Sequence, residues 1–261
     1  MTSYSLDEIQ RQYWRERATQ IQDLELKSIA DPTQRIGEMK FILDRIPAGA
    51  RILEIGCGSG FMTKELAIKA SELICIDIQD EMINASKLMV PDNLHSKIKW
   101  ICKNFHDFKA DSEFDVVISS RVFINFPSRE LQESGIGVLK NILKKDGLLF
   151  FLEGEDSAFI HLNKSRELLQ LPKIEMSHIN LYLDNSFFDK LTREGFELKE
   201  QFDNGLYDAI TRVLVPALDR ATELKDKQRI SYDWINSIDW RNIEKYSRVS
   251  GGMFKLAKIP S

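Results

Sequence analysis

Between Arg51 and Gly60 the chain reads Arg51-Ile52-Leu53-Glu54-Ile55-Gly56-Cys57-Gly58-Ser59-Gly60. This places a carboxylate two residues ahead of a Gly-x-Gly-x-Gly loop. Glycines there let backbone N–H groups approach a ligand closely, without interference from a Cβ atom. Residues 51–55 read as a short buried parallel strand. A helix follows from about Met62, so its positive end also faces the ligand. The dinucleotide fingerprint Gly-x-Gly-x-x-Gly needs a glycine where Phe61 stands. Glu54 would repel a pyrophosphate, whereas it can receive an ammonium group.

The stretch resembles the first motif of class I S-adenosylmethionine (SAM) methyltransferases, and the likeness covers roughly residues 35–155. The resemblance implies SAM as cofactor, with Glu54 receiving the ammonium of its methionine part and Gly56, Cys57, Gly58 and Gly60 forming the cradle. Asp77 ends the second strand, where an acidic residue bonds the ribose hydroxyls of an adenosine ligand. Ile78 would then touch the adenine ring. The plainer reading is that Asp77 caps the helix starting near Asp80. After the third strand comes Asn104-Phe105. The family often has Asp at the first of these, facing the adenine amino group, and Asn104 keeps that hydrogen-bonding capacity; it reads equally as a loop polar residue. Ser119 and Ser120 end the fourth strand, where the chain passes close to the sulfonium.

The fourth strand lacks an Asn/Asp-Pro-Pro-aromatic quartet and an acidic pair of the kind that holds Mg²⁺. Metal-independent transfer to a small molecule or saccharide, at oxygen more than nitrogen, is the expected reaction, with no metal site. From Arg121 to Tyr207 the chain resembles a subgroup of bacterial class I methyltransferases associated with glycan and secondary-metabolite genes. Its marks here are Leu149-Phe150-Phe151-Leu152-Glu153-Gly154-Glu155, Leu162-Asn163-Lys164-Ser165-Arg166, Leu171-Pro172-Lys173-Ile174 and Asn180-Leu181-Tyr182-Leu183. That likeness implies an acceptor site among Arg121, Glu153, Asn163, Arg166, Asn180 and Tyr182, with Tyr207 beside them and His178 as the candidate base. Against this, Glu153 can simply cap a strand end, Arg166 can be a solvated helix residue, and His106, His161 and His178 are ordinary surface positions.

The elements that must hold these residues alternate along the chain. Strands are expected at 51–55, 72–77, 98–102, 114–119, 148–153, 196–202 and 253–259, with helices at 5–30, 33–45, 62–70, 80–90, 128–145, 155–171 and 184–193. This is an α/β pattern: a Rossmann-like, seven-stranded, mostly parallel sheet with an antiparallel last strand. The expected organisation is N-terminal helices over the cofactor cleft at 1–46 and a SAM-binding core at 47–202. A helical cap follows at 203–252, then the last core strand from 253. Tyr13-Trp14-Arg15 belong to a helix that folds over the cleft or packs on the sheet edge. Tyr207, Tyr232, Trp234, Trp240 and Tyr246 give the inserted segment apolar mass for covering an acceptor pocket, or for a dimer interface.

A net charge of −4 with no Lys/Arg block argues against nucleic acid as partner. Apolar runs are only strand-length, so no membrane span is expected. The polar N-terminus and three cysteines without a Cys-x-x-Cys pair fit a reduced, cytoplasmic protein, and a monomer or homodimer is expected. The rival readings are an RNA or protein methyltransferase of the same fold and a non-catalytic SAM-binding interaction protein.

Overall fold

The computed structural model describes residues 5–224 and 240–257. Its elements are, in order, α1 (Leu6–Gln20), α2 (Pro32–Leu43), β1 (Arg51–Ile55), α3 (Thr63–Lys69), β2 (Glu72–Asp77), α4 (Asp80–Met89), β3 (Ile98–Cys102) and β4 (Phe114–Ser120). Then come α5 (Arg129–Ile142), β5 (Leu143–Gly154), α6 (Ser157–Leu168), α7 (Asn185–Arg193), β6 (Phe196–Gln201), α8 (Gly205–Ala209), α9 (Val215–Leu224) and β7 (Val249–Leu256). One sheet runs in the order β3-β2-β1-β4-β5-β7-β6. β1 to β5 are parallel neighbours, and β7 runs antiparallel to both β5 and β6.

Burial explains this order. Ile52, Leu53, Glu54 and Ile55 of β1 are all buried, as a parallel strand covered on both faces requires. Side chains alternate across the sheet. Leu53, Ile55, Val117, Leu149 and Phe151 share one core cluster, while Ile52, Val116, Ile118, Phe150 and Leu152 share the other. β6 closes the far edge with exposed Glu197, Lys199 and Glu200, charges that discourage further strand pairing.

Three expected boundaries shift, each for a tertiary reason. The helix expected over 5–30 ends at Gln20. Residues after it fold back because Arg17 donates from Nε to the Lys27 carbonyl at 2.9 Å and also reaches those of Leu26 and Ile29, while Lys27 donates to the Ala18 carbonyl. Side chains thus supply hydrogen bonds that a longer helix would have made internally. β5 starts at Leu143 rather than 148: Leu143 pairs with Phe114, ahead of a register shift in the β4–β5 ladder. β7 starts at Val249, ahead of the expected 253, and pairs on both sides, so β6 forms the sheet edge. Residues 258 and 259 of the expected strand lie outside the described residues, as do Tyr232 and Trp234.

The described part of the 203–252 insertion packs on α6. Ala209, Val213 and Tyr246 bury against Leu162, with Leu169 and Ile174 alongside. A π-helical turn, Ile210–Leu214, joins α8 to α9. No helix among the described residues is long and apolar enough to cross a membrane.

Candidate active site

A cleft of about 710 Å³ opens at the carboxyl ends of β1, β2 and β4, within the size range of small-molecule sites. The glycine loop forms its floor. Gly58 has φ +53°, and a Cβ there would come within 2.7 Å of Ser28. Ser28 belongs to the fold-back after α1, and its Oγ lies 2.9 Å from Ser59 Oγ. The fold-back therefore docks directly on the loop. Gly60, at φ +89°, touches α4 instead: a Cβ would meet the Ser86 backbone at 2.9 Å. Gly60 sets loop-to-helix packing, and Gly56, Cys57 and Gly58 line the cleft.

Glu54 lines the cleft at 5% exposure, its Oε2 accepting from Thr63 Oγ1 at 2.6 Å and from Cys75 Sγ at 3.5 Å. Burial pushes its carboxyl up to about 7, against the Thr63 and Cys75 hydrogen bonds and the charge of Arg35. A cationic ligand group here would restore the ionised form. Asp77 accepts from the Gly58 N–H and the Gln79 N–H, each at 2.9 Å. It thus ties the loop to the start of α4 while lining the cleft, and a carboxylate has further lone pairs for ligand hydroxyls. Burial raises its carboxyl above the ordinary value, opposed by those same N–H groups.

Ile78 stands 39% exposed at the cleft, an apolar surface against which a flat ring can lie. Asn104 lines it too, but its Oδ1 accepts from the His106 N–H at 3.0 Å and so caps the turn 105–107. Phe105 is buried and stacked on Phe126, 6.2 Å between ring centres. His106 is held by its own contacts: Nε2 lies 2.9 Å from the Leu131 carbonyl, and a carbonyl only accepts, so Nε2 carries the hydrogen.

α1 roofs the cleft. Gln10 donates to the Ile179 carbonyl at 2.7 Å, Trp14 Nε1 to Asn125 Oδ1 at 3.2 Å, and Gln79 Nε2 to the Arg11 carbonyl at 3.1 Å. These bonds pin the helix on both flanks.

The residues expected around the acceptor fall into two groups. Arg121, Asn180 and Tyr182 line the cleft beside Ser120. Arg121 takes a left-handed conformation, φ 60°, unusual for a side-chain-bearing residue. Glu153 holds that turn from beneath. It is fully buried and accepts from Ser119 Oγ and the Val122 N–H at 3.0 Å each, and from the Ile124 N–H at 3.3 Å. Burial raises its carboxyl to about 7 in spite of those donors.

The second group is turned into the protein. Asn163 clasps the Ile174 peptide, donating at 2.9 Å and accepting at 2.7 Å. Arg166 is buried, not solvated: it donates to the Pro172 carbonyl at 2.6 Å and to that of Arg212. Tyr207, expected among inner cap residues, donates to Asp31 Oδ1 at 2.8 Å, the carboxylate that caps α2. His178 is exposed, and its neighbours Ser177 and Ile179 line the cleft where it does not.

Sequence reasoning missed a set of ion pairs. Glu38 of α2 is fully buried and receives Arg35 and Arg121, with Ser120 Oγ at 3.1 Å. Arg248, just ahead of β7, donates from Nε to Asp208 at 2.9 Å and from Nη2 to Gln34 Oε1 at 3.1 Å. Arg35 and Glu38 stand three apart on a helix, a spacing that reads as an ordinary surface pair.

Residues 52–147 match the methyltransferase domain family. The chain is 28% identical over 139 residues to malonyl-[acyl-carrier protein] O-methyltransferase of Bacillus cytotoxicus, covering 51% of this chain and 46% of that protein. It is 28% identical over 93 residues to magnesium-protoporphyrin O-methyltransferase of Rhodobacter capsulatus, covering 34% and 41%. The chain thus spans less than half the length of these curated relatives. The N-methyltransferase NodS from Bradyrhizobium japonicum, solved with S-adenosyl-L-homocysteine, superposes with a TM-score of 0.57 at 17% identity over 74% of this chain and 89% of NodS. The seven-stranded sheet with its reversed β7, the loop after β1 and the domain match agree: the fold is that of class I SAM-dependent methyltransferases, and residues 52–147 carry a methyltransferase domain.

Proposed function

We propose that the cleft binds SAM and transfers its methyl group to a small-molecule or saccharide acceptor, at oxygen, without a metal. The observation that carries this reading is the convergence of Glu54, Asp77 and the loop Gly56-Cys57-Gly58 in one cleft, whose other end carries Arg121, Asn180 and Tyr182. Glu54 takes the ligand ammonium, Asp77 the ribose hydroxyls, and Ile78, Asn104 and Phe105 the adenine. Ser120 lies towards the sulfonium. The curated relatives named above are O-methyltransferases and NodS is an N-methyltransferase, so the preference for oxygen rests on the absent Asn/Asp-Pro-Pro-aromatic quartet after β4.

Bound SAM supplies a methyl carbon on a positively charged sulfur, reactive enough for direct in-line displacement. The methyl group would pass from sulfur to the acceptor oxygen, giving S-adenosylhomocysteine, with the hydroxyl proton released to bulk solvent. The protein's share is alignment at a near-attack distance of about 3–3.5 Å and exclusion of water. α1 and its Gln10, Trp14 and Gln79 ties provide the exclusion. Metal independence rests on β4, which ends in Ser119-Ser120 where a carboxylate pair would stand.

The test is S-adenosylhomocysteine formation by the purified chain across a panel of small hydroxylated and amino acceptors, with and without EDTA. Acceptor-dependent turnover that survives chelation is expected. Absence of turnover across the panel, or loss on chelation with recovery on Mg²⁺, contradicts the proposal.

A further inference from the structure

We infer that the acceptor carries an oxyanion, a carboxylate or a phosphate ester, held between Arg121 and Arg248. This rests on the proposed function, since it assigns the acceptor half of the same cleft. The first argument is charge. Around that half, Arg35 and Arg121 share the single carboxylate of Glu38, while Arg212 and Arg248 meet Asp31 and Asp208. Glu38 serves two guanidiniums at once, so Arg121 has no carboxylate to itself.

The second argument is position. Arg35 lies close enough to Glu54 for its charge to act on that carboxyl, which places it with the methionine end of the cofactor. Arg121 and Arg248 lie further along the sheet. The Arg121 N–H donates to the Leu152 carbonyl at 2.8 Å, on one side of β5. On the other side, the Arg248 carbonyl accepts from the Glu155 N–H at 3.3 Å. The two backbones thus flank the end of β5, about two strand spacings apart across the sheet and offset along it from Leu152 to Glu155. Both side chains line the cleft and are partly exposed, 27% for Arg121 and 20% for Arg248.

The third argument is preorganisation. Each guanidinium is oriented by a carboxylate that is fully buried, Glu38 for Arg121 and Asp208 for Arg248. Arg121 still has donor capacity: its Nε is buried with no partner among the described residues. Two forks fixed in this way across a gap suit a planar or tetrahedral oxyanion better than a neutral sugar.

The test uses the full chain saturated with S-adenosylhomocysteine, with inorganic phosphate and acetate as probes, each followed by NMR line broadening. Saturable binding of at least one probe is expected, and the probe preferred tells a phosphate-bearing acceptor from a carboxylate-bearing one. Arg121→Gln and Arg248→Gln should each weaken it about tenfold or more, the loss of one charge-assisted contact. Arg248→Lys should recover part of the affinity, and affinity for S-adenosylhomocysteine should stay within about twofold of the parent. Melting curves check that each variant folds, and Arg248→Gln decides alone if the Arg121 variant does not. Failure of both probes to saturate, or glutamine variants that bind like the parent, overturns the inference. Failure of S-adenosylhomocysteine itself to bind overturns the cofactor reading instead, so the two failures are told apart.

Discussion

The two ends of the cleft are built in opposite ways. At the cofactor end, the loop Gly56–Gly60 and the carboxylates Glu54 and Asp77 come from two adjacent strands and their turns. Backbone N–H groups hold Asp77 in place at 2.9 Å. At the proposed acceptor end, Glu38, Arg121, Asp208 and Arg248 come from elements far apart in sequence, and side-chain charge holds them together. A backbone-built site fits one constant ligand, while a charge-built site can change acceptor by exchanging side chains. Breaking each end should therefore give different symptoms.

The largest effect is expected at the charge-built end. Glu38→Gln should cost about 3–5 kcal/mol of folding stability, the range for orphaning a buried ion pair, measured by denaturant unfolding. Burial acts to raise the Glu38 carboxyl, but Arg121 and Arg35 overcome it and hold it below its ordinary 4.5. Its contribution is therefore complete above about 4.5 and is lost as the pH falls through the lower folded value. A variant as stable as the parent at pH 7 would remove Glu38 from its central place.

Next in size is a pH effect at the cofactor end. With Glu54 near 7 in the free protein, its neutral form favours the fold at low pH, and that contribution fades as the pH rises through about 7. Cofactor binding should run the other way, because an ammonium ligand favours the ionised carboxylate. SAM affinity should fall as the pH drops below 7, by at most about tenfold per unit, and Glu54→Gln should flatten that slope. Calorimetry from pH 5.5 to 8 checks it, and an unchanged slope in the variant would separate Glu54 from the ammonium.

The smallest effect separates the insertion from the cleft. Tyr207→Phe removes one hydrogen bond to Asp31 and should cost about 1 kcal/mol in unfolding experiments, leaving SAM affinity unchanged. A large loss of acceptor turnover at normal stability would return Tyr207 to the acceptor site.

This asymmetry also decides what the sequence could reveal. Glu54, the glycine loop and Asp77 were legible because strand, turn and helix start follow one another within a few residues. The sheet followed from the alternation of apolar runs. The end of α1 was not legible, because Arg17 and Lys27 satisfy carbonyls through contacts that no periodicity records. Asn163 and Arg166 were placed near the acceptor by resemblance, yet they hold the 172–174 connection, since a polar side chain reads alike whether it faces a ligand or a buried carbonyl. Arg35 and Glu38 read as an ordinary surface pair, and only the fold buries Glu38 and brings Arg121 to it.

The most direct measurement is calorimetric titration of S-adenosylhomocysteine into the parent protein and into Asp77→Ala. The account predicts one-to-one binding to the parent, no heat with NAD, and a loss of about 1–3 kcal/mol in the variant as charge-assisted hydrogen bonds go unmade. Equal affinity in both proteins, or binding of NAD in place of S-adenosylhomocysteine, would contradict it.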